Sequence, residues 1–122
     1  MPQFNFVLRY VADPAVSAKF YAEALGAPVV AQSPGFAMLP LREGVMLGLW
    51  RKEMVEPRAP DGADGGEICL HVGADAEVDS VHADWKGRGY SIAQAPTKMD
   101  FGRTFVALDP DGGRIRVFCP AG

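Results

Sequence analysis

The sequence predicts an α+β fold made of two tandem βαβββ modules, and three observations support this prediction. A strand, a helix and three short strands can be assigned twice along the 122 residues. The residues that mark helix ends also recur, since an aspartate precedes each predicted helix and a glycine follows it. A stretch rich in proline, glycine and charge separates the halves. We predict one domain, 1–122, with a first module of about 1–51, a linker of 52–66 and a second module of about 67–122.

The first module begins with FNFVLRYV at 4–11, a segment whose aromatic and β-branched residues predict a strand. Asp13 followed by Pro14 is typical of a helix start, because the carboxylate accepts a hydrogen bond from the first turn and proline needs no partner there. Apolar residues then recur at helical spacing until Gly26, a typical helix stop. Three strands follow at about 28–32, 36–41 and 45–51.

The second module repeats this order. Glu67–Gly73 predicts a strand, Asp75 is predicted as the N-cap of the second helix, and Gly89 as its stop. Glu77 in the first helical turn suits the positive end of the helix dipole. The remaining strands are predicted at 91–95, 104–108 and 114–119.

Composition and charge exclude several classes of protein. A net charge of -3 without a cluster of Lys and Arg argues against a nucleic-acid partner. No uncharged apolar stretch approaches the ~20 residues of a membrane helix, and no basic segment followed by an apolar block indicates a signal peptide. Cys69 and Cys119 form neither a CxxC pair nor a disulfide framework. We therefore expect a cytoplasmic protein without nucleic-acid or membrane partners.

Strand alternation separates a core face from a candidate binding face. In the fourth strand, the aliphatic residues at 45, 47 and 49 suit the core. Met46, Gly48 and Trp50 on the other face would offer an adaptable thioether, open space and a stacking surface. The fifth and last strands likewise carry ionisable, sulfur and aromatic groups opposite their aliphatic faces. The candidate ligand-binding residues are Phe6, Tyr10, Met38, Met46, Trp50, Glu67, His71, Phe101, Arg103, Arg116 and Phe118.

These residues also have ordinary structural interpretations. Trp50 would serve equally well in a core or an interface, and the first-strand aromatics Phe6 and Tyr10 equally well in a core. Glu67 and Arg116 lie on strands that we expect to be neighbours, so a cross-strand ion pair is one interpretation. The other is that Arg116 turns its planar guanidinium to a ligand carboxylate.

Five further side chains need separate interpretation. His82 on the apolar side of the second helix suits a packed, hydrogen-bonded core position. Cys69 and His71 share one strand face, but a nucleophile and base pair lacks a third group to orient it. Phe101 and Arg103 are predicted in a loop before the seventh strand, where binding contacts are common.

Paired βαβββ modules of this size resemble the vicinal oxygen chelate superfamily, which contains glyoxalase I, extradiol dioxygenases and bleomycin-resistance proteins. The motifs that carry this resemblance most specifically are Phe20-Tyr21 with Leu25-Gly26 in the first helix and the Asp109-Pro110-Asp111-Gly112 turn before the last strand. The resemblance covers nearly the whole chain. It implies that the two curved mixed sheets form a cup.

Metal-dependent members place ligands in this cup from the first and last strand of each module. The resemblance puts these positions on Phe6, Glu67, Arg116 and Gly48, or on Leu47 if the register slips by one. Phe6 and Gly48 carry no donor atom, and Arg116 is permanently positive, so only Glu67 has a suitable ligand group. We therefore expect neither a metal nor another cofactor.

The closer resemblance is to metal-free phenazine-antibiotic resistance proteins, on the strand Val45–Trp50, the run Phe101–Phe105 and the segment Asp109–Val117. It implies a homodimer that binds a planar aromatic antibiotic and sequesters it without turnover. One alternative is a lyase, isomerase or dioxygenase-type enzyme. Such an enzyme would use a metal, or it would use Glu67 as a base although the nearby Arg116 would lower the pKa of Glu67. Another is an interaction module whose cup is filled by its own side chains.

Overall fold

The computed structural model describes residues 3–58 and 66–121. They belong to two compact units, Met1–Asp64 and Gly65–Gly122. Each unit contains one α-helix and one four-stranded mixed sheet, in the order βαβββ. The predicted α+β fold of two such modules is therefore confirmed, whereas the cup that their sheets would form stays a prediction. No helix among the described residues is long and apolar enough to cross a bilayer.

The first unit has a sheet order of β1-β4-β3-β2, in which β1 runs parallel to β4 and the other neighbours are antiparallel. Helix α1 packs on one side of β3 and β4, where Tyr21, Leu47 and Leu49 are fully buried. The elements are β1 (Phe6–Val11), α1 (Pro14–Leu25), β2 (Ala31–Gln32), β3 (Phe36–Arg42) and β4 (Val45–Arg51).

The capping signals of α1 are confirmed. Asp13 Oδ1 accepts a hydrogen bond from the backbone N–H of Ala15 at 3.0 Å, and Gly26 adopts the left-handed conformation with φ of 64°. Strand β2 is shorter than predicted and begins at Ala31, although the N–H of Val30 still donates to the carbonyl of Met38 at 2.8 Å. Of the predicted linker, 52–54 form a short 3-10 turn, and 59–65 lie outside the described residues.

Arg51 connects the end of β4 to two other segments of the first unit. Its Nε donates to the carbonyl of Pro34 at 2.8 Å, and its Nη1 donates to the carbonyl of Ala12 at 2.7 Å. Its Nη2 lies 3.7 Å from the capping carboxylate of Asp13. One side chain thus holds the β1–α1 and β2–β3 connections against the same strand end.

Replacing Arg51 with Met is expected to lower the free energy of unfolding by about 1–2 kcal/mol, because two carbonyls lose charged donors at a partly exposed site. Methionine keeps much of the aliphatic stem, so packing changes little. Urea unfolding followed by circular dichroism measures the effect. The control is Arg88→Met, which removes contacts with Tyr90 and with the exposed Asp84 and should shift the urea midpoint less. Equal midpoints for both variants would contradict the role of Arg51.

The second unit has the sheet order β5-β8-β7-β6, with β5 parallel to β8. Helix α2 packs Val78 and Trp85 against the side of the sheet that carries Phe105, Ile115 and Val117, and all five are buried. The elements are β5 (Glu67–His71), α2 (Asp75–Gly87), β6 (Ser91–Met99), β7 (Gly102–Leu108) and β8 (Arg114–Pro120).

One prediction about helix α2 and one about strand β6 are wrong. Asp75 is the first residue of α2 instead of its N-cap, which is Ala74 and makes no side-chain bond. Asp75 still suits the helix dipole at this position. Strand β6 continues past Ala95 to Met99, because irregular pairing between Gln94 and Thr97 accommodates the intervening proline.

Candidate functional site

The side of the first sheet opposite α1 is apolar. The register aligns Phe6 with Met46, Tyr10 with Trp50, and both Leu8 and Met38 with Gly48, so alternation places these residues on that side. Large side chains remain exposed there, at 38% for Phe6 and 45% for Tyr10. Contiguous exposed apolar surface of this kind marks interaction sites. We call the following set the apolar face: Phe6, Leu8, Tyr10, Phe36, Met38, Pro40, Met46, Gly48 and Trp50.

Gly48 lies at the centre of the apolar face. A Cβ atom there would lie 2.5 Å from Phe6 Cε1 and 2.8 Å from Phe36 Cζ. The two rings approach each other over it, with centroids 6.4 Å apart. Gly48, and not Leu47, therefore occupies this face, and Leu47 is fully buried in the core. The expected open space is wrong, because the chain's own aromatic rings take the volume that glycine leaves.

Trp50 and Tyr10 form an edge-to-face pair at one end of the apolar face. Their ring centroids are 6.5 Å apart, with an interplanar angle of 76°. This pairing leaves the half-buried indole and the exposed phenol ring available for further stacking. Met38 and Met46 are half-buried beside them on the same face. The structure thus brings together the five candidates predicted from the first module.

The side of the second sheet opposite α2 is polar. Cys69 pairs with Arg116 and His71 with Phe118 in the β5–β8 register, while Thr104 lies across from Phe118 on β7. We call the following set, which includes the buried Val106, the polar face: Glu67, Cys69, His71, Gln94, Thr104, Val106, Arg114, Arg116 and Phe118.

Arg116 is the centre of hydrogen bonding on the polar face. Its Nε donates to Glu67 Oε1 at 2.8 Å and its Nη2 to Glu67 Oε2 at 3.1 Å, a bidentate pair. Its Nη1 donates to Thr104 Oγ1 at 3.2 Å and to Gln94 Oε1 at 3.4 Å. The fully buried Thr104 hydroxyl in turn donates to the carbonyl of Val117 at 3.0 Å. Groups on three strands therefore hold the guanidinium in one orientation.

The Glu67–Arg116 pair also sets the charge state of both groups. The hydrogen bond from Arg116 lowers the pKa of Glu67 despite the opposing effect of burial, and Glu67 raises the pKa of Arg116. The guanidinium of Arg114 lies 4.0 Å from Glu67 and acts in the same direction. A carboxylate with a lowered pKa is a weak base at neutral pH, which disfavours Glu67 as a general base.

Aromatic rings cover one side of this ion pair. The Phe101 ring centroid lies 5.6 Å from Arg116 Cζ, and the ring meets Phe118 edge-on at 6.3 Å. His71 lies against Phe118 at 5.8 Å. Phe101 is 45% exposed, in the turn between β6 and β7 as expected. The structure thus joins Glu67 and these four candidates into one continuous surface of planar groups.

Arg103 does not belong to this surface. It lies within β7, not in a loop, because the strand begins at Gly102. Its neighbour Thr104 points to the polar face, so Arg103 points to the α2 side. There its Nε and Nη2 donate to Asp79 Oδ1 at 2.9 and 2.8 Å. The sheet separates Arg103 from Arg116, and we omit it from the candidate site.

Some residues of the two faces were not predicted from the sequence. Leu8 shares its alternation with Phe6 and Tyr10, and Thr104 begins an alternating strand, so both carried a usable signal. No sequence pattern indicated the face on which Gln94 lies, because the irregular pairing of β6 breaks the alternation of side chains beside it.

The two cysteines differ in surroundings. Both are free thiols, with Cys69 exposed on the polar face. Burial and Asp75 raise the pKa of Cys119, so its reactive thiolate is disfavoured. His82 is half-buried and packs edge-on against Phe105 at 5.3 Å, but the hydrogen bonds of the described residues include none from its ring, so the expected hydrogen-bonded core position is wrong.

The positions that hold metal in related folds do not fit a metal here. In the first unit, Phe6 and Gly48 carry no donor. In the second, both oxygens of Glu67 accept hydrogen bonds from Arg116. Among residues 3–58 and 66–121, no three His, Cys, Asp or Glu side chains are grouped to bind an ion.

The low pKa of Glu67 predicts an acid-dependent contribution to stability. Because the folded pKa is below the ordinary 4.5, the contribution is full above that pH and is lost as pH falls through the folded pKa. Glu67→Gln should lower the urea midpoint at neutral pH, and the difference from the original protein should shrink as pH falls through the folded pKa of Glu67. A midpoint difference that persists unchanged at acid pH would contradict the ionic origin of the effect.

Comparison with known proteins identifies the family. Residues 3–117 match the model of the Glyoxalase/Bleomycin resistance protein/Dioxygenase superfamily, and the chain belongs to this superfamily. The phenazine antibiotic resistance protein EhpR of Enterobacter agglomerans is 31% identical over 120 residues, which span 95% of this chain and 90% of that protein. The resemblance inferred from the motifs is therefore confirmed.

Two solved structures illustrate the likeness. The solution NMR structure of protein ATC0852 from Agrobacterium tumefaciens is 43% identical, with a TM-score of 0.89 over the whole of both chains. A glyoxalase-related enzyme from Fulvimarina pelagi is 21% identical, with a TM-score of 0.83 over 100% of this chain and 94% of that one. At such low identity, the second similarity establishes the fold alone.

Proposed function

We propose that this protein binds a planar aromatic small molecule of the phenazine antibiotic type and sequesters it unchanged, which gives resistance. The observation that carries the proposal is the apolar face, an uncharged surface of aromatic and thioether side chains. Membership of the superfamily and the likeness to a phenazine antibiotic resistance protein support the resistance role.

The apolar face suits a flat ligand for physical reasons. Stacking of an aromatic ring on the half-buried indole of Trp50 adds to the gain from burying apolar area. Met38 and Met46 adapt their shape to the edges of such a ring. The rings of Phe6 and Phe36 are held over Gly48, so little side-chain freedom is lost when a ligand binds.

Binding without turnover is favoured by the state of the polar face. Glu67 is bound at both oxygens and its pKa is lowered, so it is poorly suited to abstract a proton. Cys69 and His71 share a face, but the described hydrogen bonds include none that orients His71 as a base.

We propose further that the protein works as a cytoplasmic homodimer. Each sheet has edge strands, β1 and β2 in the first unit and β5 and β6 in the second. Unprotected edges invite pairing, and a two-fold partner covers them. Sedimentation equilibrium with and without ligand tests this, and a monomer under both conditions would contradict it.

The test of the proposed function is a titration of chelator-treated protein with a phenazine carboxylic acid and with the corresponding carboxamide, followed by tryptophan fluorescence. We expect saturable quenching with micromolar or tighter affinity and recovery of unchanged ligand by chromatography. Trp85 is 3% exposed in the core, so a Trp50→Phe variant assigns the quenched residue. Conversion of the ligand, or binding only after a divalent metal is restored, would overturn sequestration.

A further inference from the structure

We infer that Gly48 makes the apolar face selective for the number of fused rings in its ligand, because it lets the rings of Phe6 and Phe36 lie low over β4. There they support the far ring of a ligand that is stacked on Trp50. This inference rests on the proposed function and adds the ligand class, linear tricyclic aromatics, and the residue that selects it.

Side chains from both neighbours of β4 converge on Gly48. Strand β4 lies between β1, which carries Phe6 and Leu8, and β3, which carries Phe36. An added Cβ would lie 2.5 Å from Phe6 Cε1, 2.7 Å from Leu8 Cδ2 and 2.8 Å from Phe36 Cζ. Neither ring is aligned with Gly48 in the register, since each is aligned with a residue two positions away on β4. Both rings therefore lean along the sheet into the space that the absent side chain leaves.

The angles between the rings decide where a flat ligand can extend. The planes of Phe6 and Phe36 differ by only 32°, and both rings are partly exposed, so a flat molecule can contact both. Tyr10 instead meets Trp50 at 76°, so a flat molecule cannot stack on both of these rings. A ligand stacked on the indole therefore gains further aromatic contact by extending towards Gly48, and not by extending over Tyr10.

The spacing along β4 sets the length of the preferred ligand. Trp50 and Gly48 are two residues apart, which is about 6.4–6.8 Å along a strand. One ring stacked on the indole does not cover this distance, whereas three linearly fused rings do. The third ring of such a ligand then lies on the pair formed by Phe6 and Phe36.

The height of this pair matters because dispersion attraction is short-ranged. Carbon atoms in contact lie ~3.5–4.0 Å apart, so a methyl group at Gly48 would raise both rings by roughly 1 Å. A gap of about 0.5–1 Å already forfeits about a quarter to a half of the attraction between two atoms. A rigid ligand lifted at its far end would therefore lose contact with the indole, whereas a shorter ligand on Trp50 would not be lifted. The crowded atoms are all side-chain ends, so the fold should be retained.

Titration with two carboxamides, followed by tryptophan fluorescence, tests the inference. Phenazine carboxamide has three linearly fused rings, and quinoxaline carboxamide has two. We expect Gly48→Ala to bind the three-ring compound about 3–10-fold more weakly and the two-ring compound with unchanged affinity. The matched control is Gly87→Ala in α2, where nothing lies within 4 Å of an added Cβ, and it should change neither affinity.

Phe36→Leu is a second variant that leaves β4 untouched. It removes one ring of the supporting pair, so it should also weaken binding of the three-ring compound alone. Because Gly48 acts through these rings, the two substitutions should not act independently. The double variant should lose less affinity than the product of the two single fold-changes.

The outcomes separate this inference from the proposed function. If phenazine carboxamide does not bind the original protein, the proposed function fails, and the inference fails with it. If it binds but Gly48→Ala weakens both compounds equally, Gly48 does not select the number of rings. Single losses that multiply fully in the double variant would show that Gly48 does not act through Phe36. Either of these two results overturns the inference while the proposed function stands.

Discussion

Gly102→Ala is expected to destabilise the second unit by about 3 kcal/mol or more, the largest effect on stability that we predict. Gly102 has a φ of 138°, a conformation that side chains disfavour, and an added Cβ would lie 2.0 Å from the carbonyl oxygen of Cys119. Atoms of the Ala121 and Cys119 backbone follow at 2.8 and 3.0 Å. These atoms belong to the backbone of β8 and of the residue that follows it. The strand itself would therefore have to shift.

The same substitution should move Phe101. The backbone carbonyl of Phe101 accepts a hydrogen bond from Ala121 N–H at 2.8 Å, beside the contact with Cys119. A displaced strand end breaks this bond and carries the ring away from Arg116. Gly102 thus acts as a positioning residue for the aromatic cover of the polar face.

The control for this prediction is Gly112→Ala. Gly112 also has positive φ, 81°, but nothing lies within 4 Å of an added Cβ. Only the conformational cost of about 1–2 kcal/mol is then expected. Chemical unfolding of both variants, followed by circular dichroism, separates the steric from the conformational effect. Equal losses in the two variants would show that the close approach to Cys119 does not matter.

Trp50→Ala is expected to weaken binding of a planar aromatic ligand by about 1–3 kcal/mol, which is roughly 5–150-fold in dissociation constant. The indole is the largest side chain of the apolar face, is half-buried, and meets the Tyr10 ring edge-on. The fold should be retained, since the core of the first unit lies on the opposite side, around Leu47 and Leu49. Calorimetric titration with the carboxamide measures the loss.

Two variants control for indirect effects on this affinity. Trp50→Phe keeps an aromatic plane and should lose less affinity than Trp50→Ala. Val16→Ala removes exposed apolar surface from α1, where Val16 is 53% exposed, and should leave affinity unchanged. If Trp50→Ala binds as tightly as the original protein, Trp50 is not part of the ligand site.

Most of the fold could be predicted because its signals are local. Asp13 and Gly26 mark the ends of α1 through interactions within a few residues of each. Alternation in β4 places Met46 and Trp50 opposite the aliphatic core, and that assignment needs no partner strand. The motif that ends in Asp109–Gly112 likewise identified the superfamily, because it combines a favourable turn with a particular place in the element order.

The sequence by itself therefore determined the element order, the two sheet faces and the family. Only the tertiary structure decided which side chains meet across strands. It placed Phe6 and Phe36 over Gly48 and turned Arg103 to Asp79 on the helix side. It also surrounded Arg116 with acceptors from three other strands. The physical reason is that pairing register, strand ends and bulges depend on contacts between residues far apart in the chain, whereas caps, turns and alternation depend on neighbours.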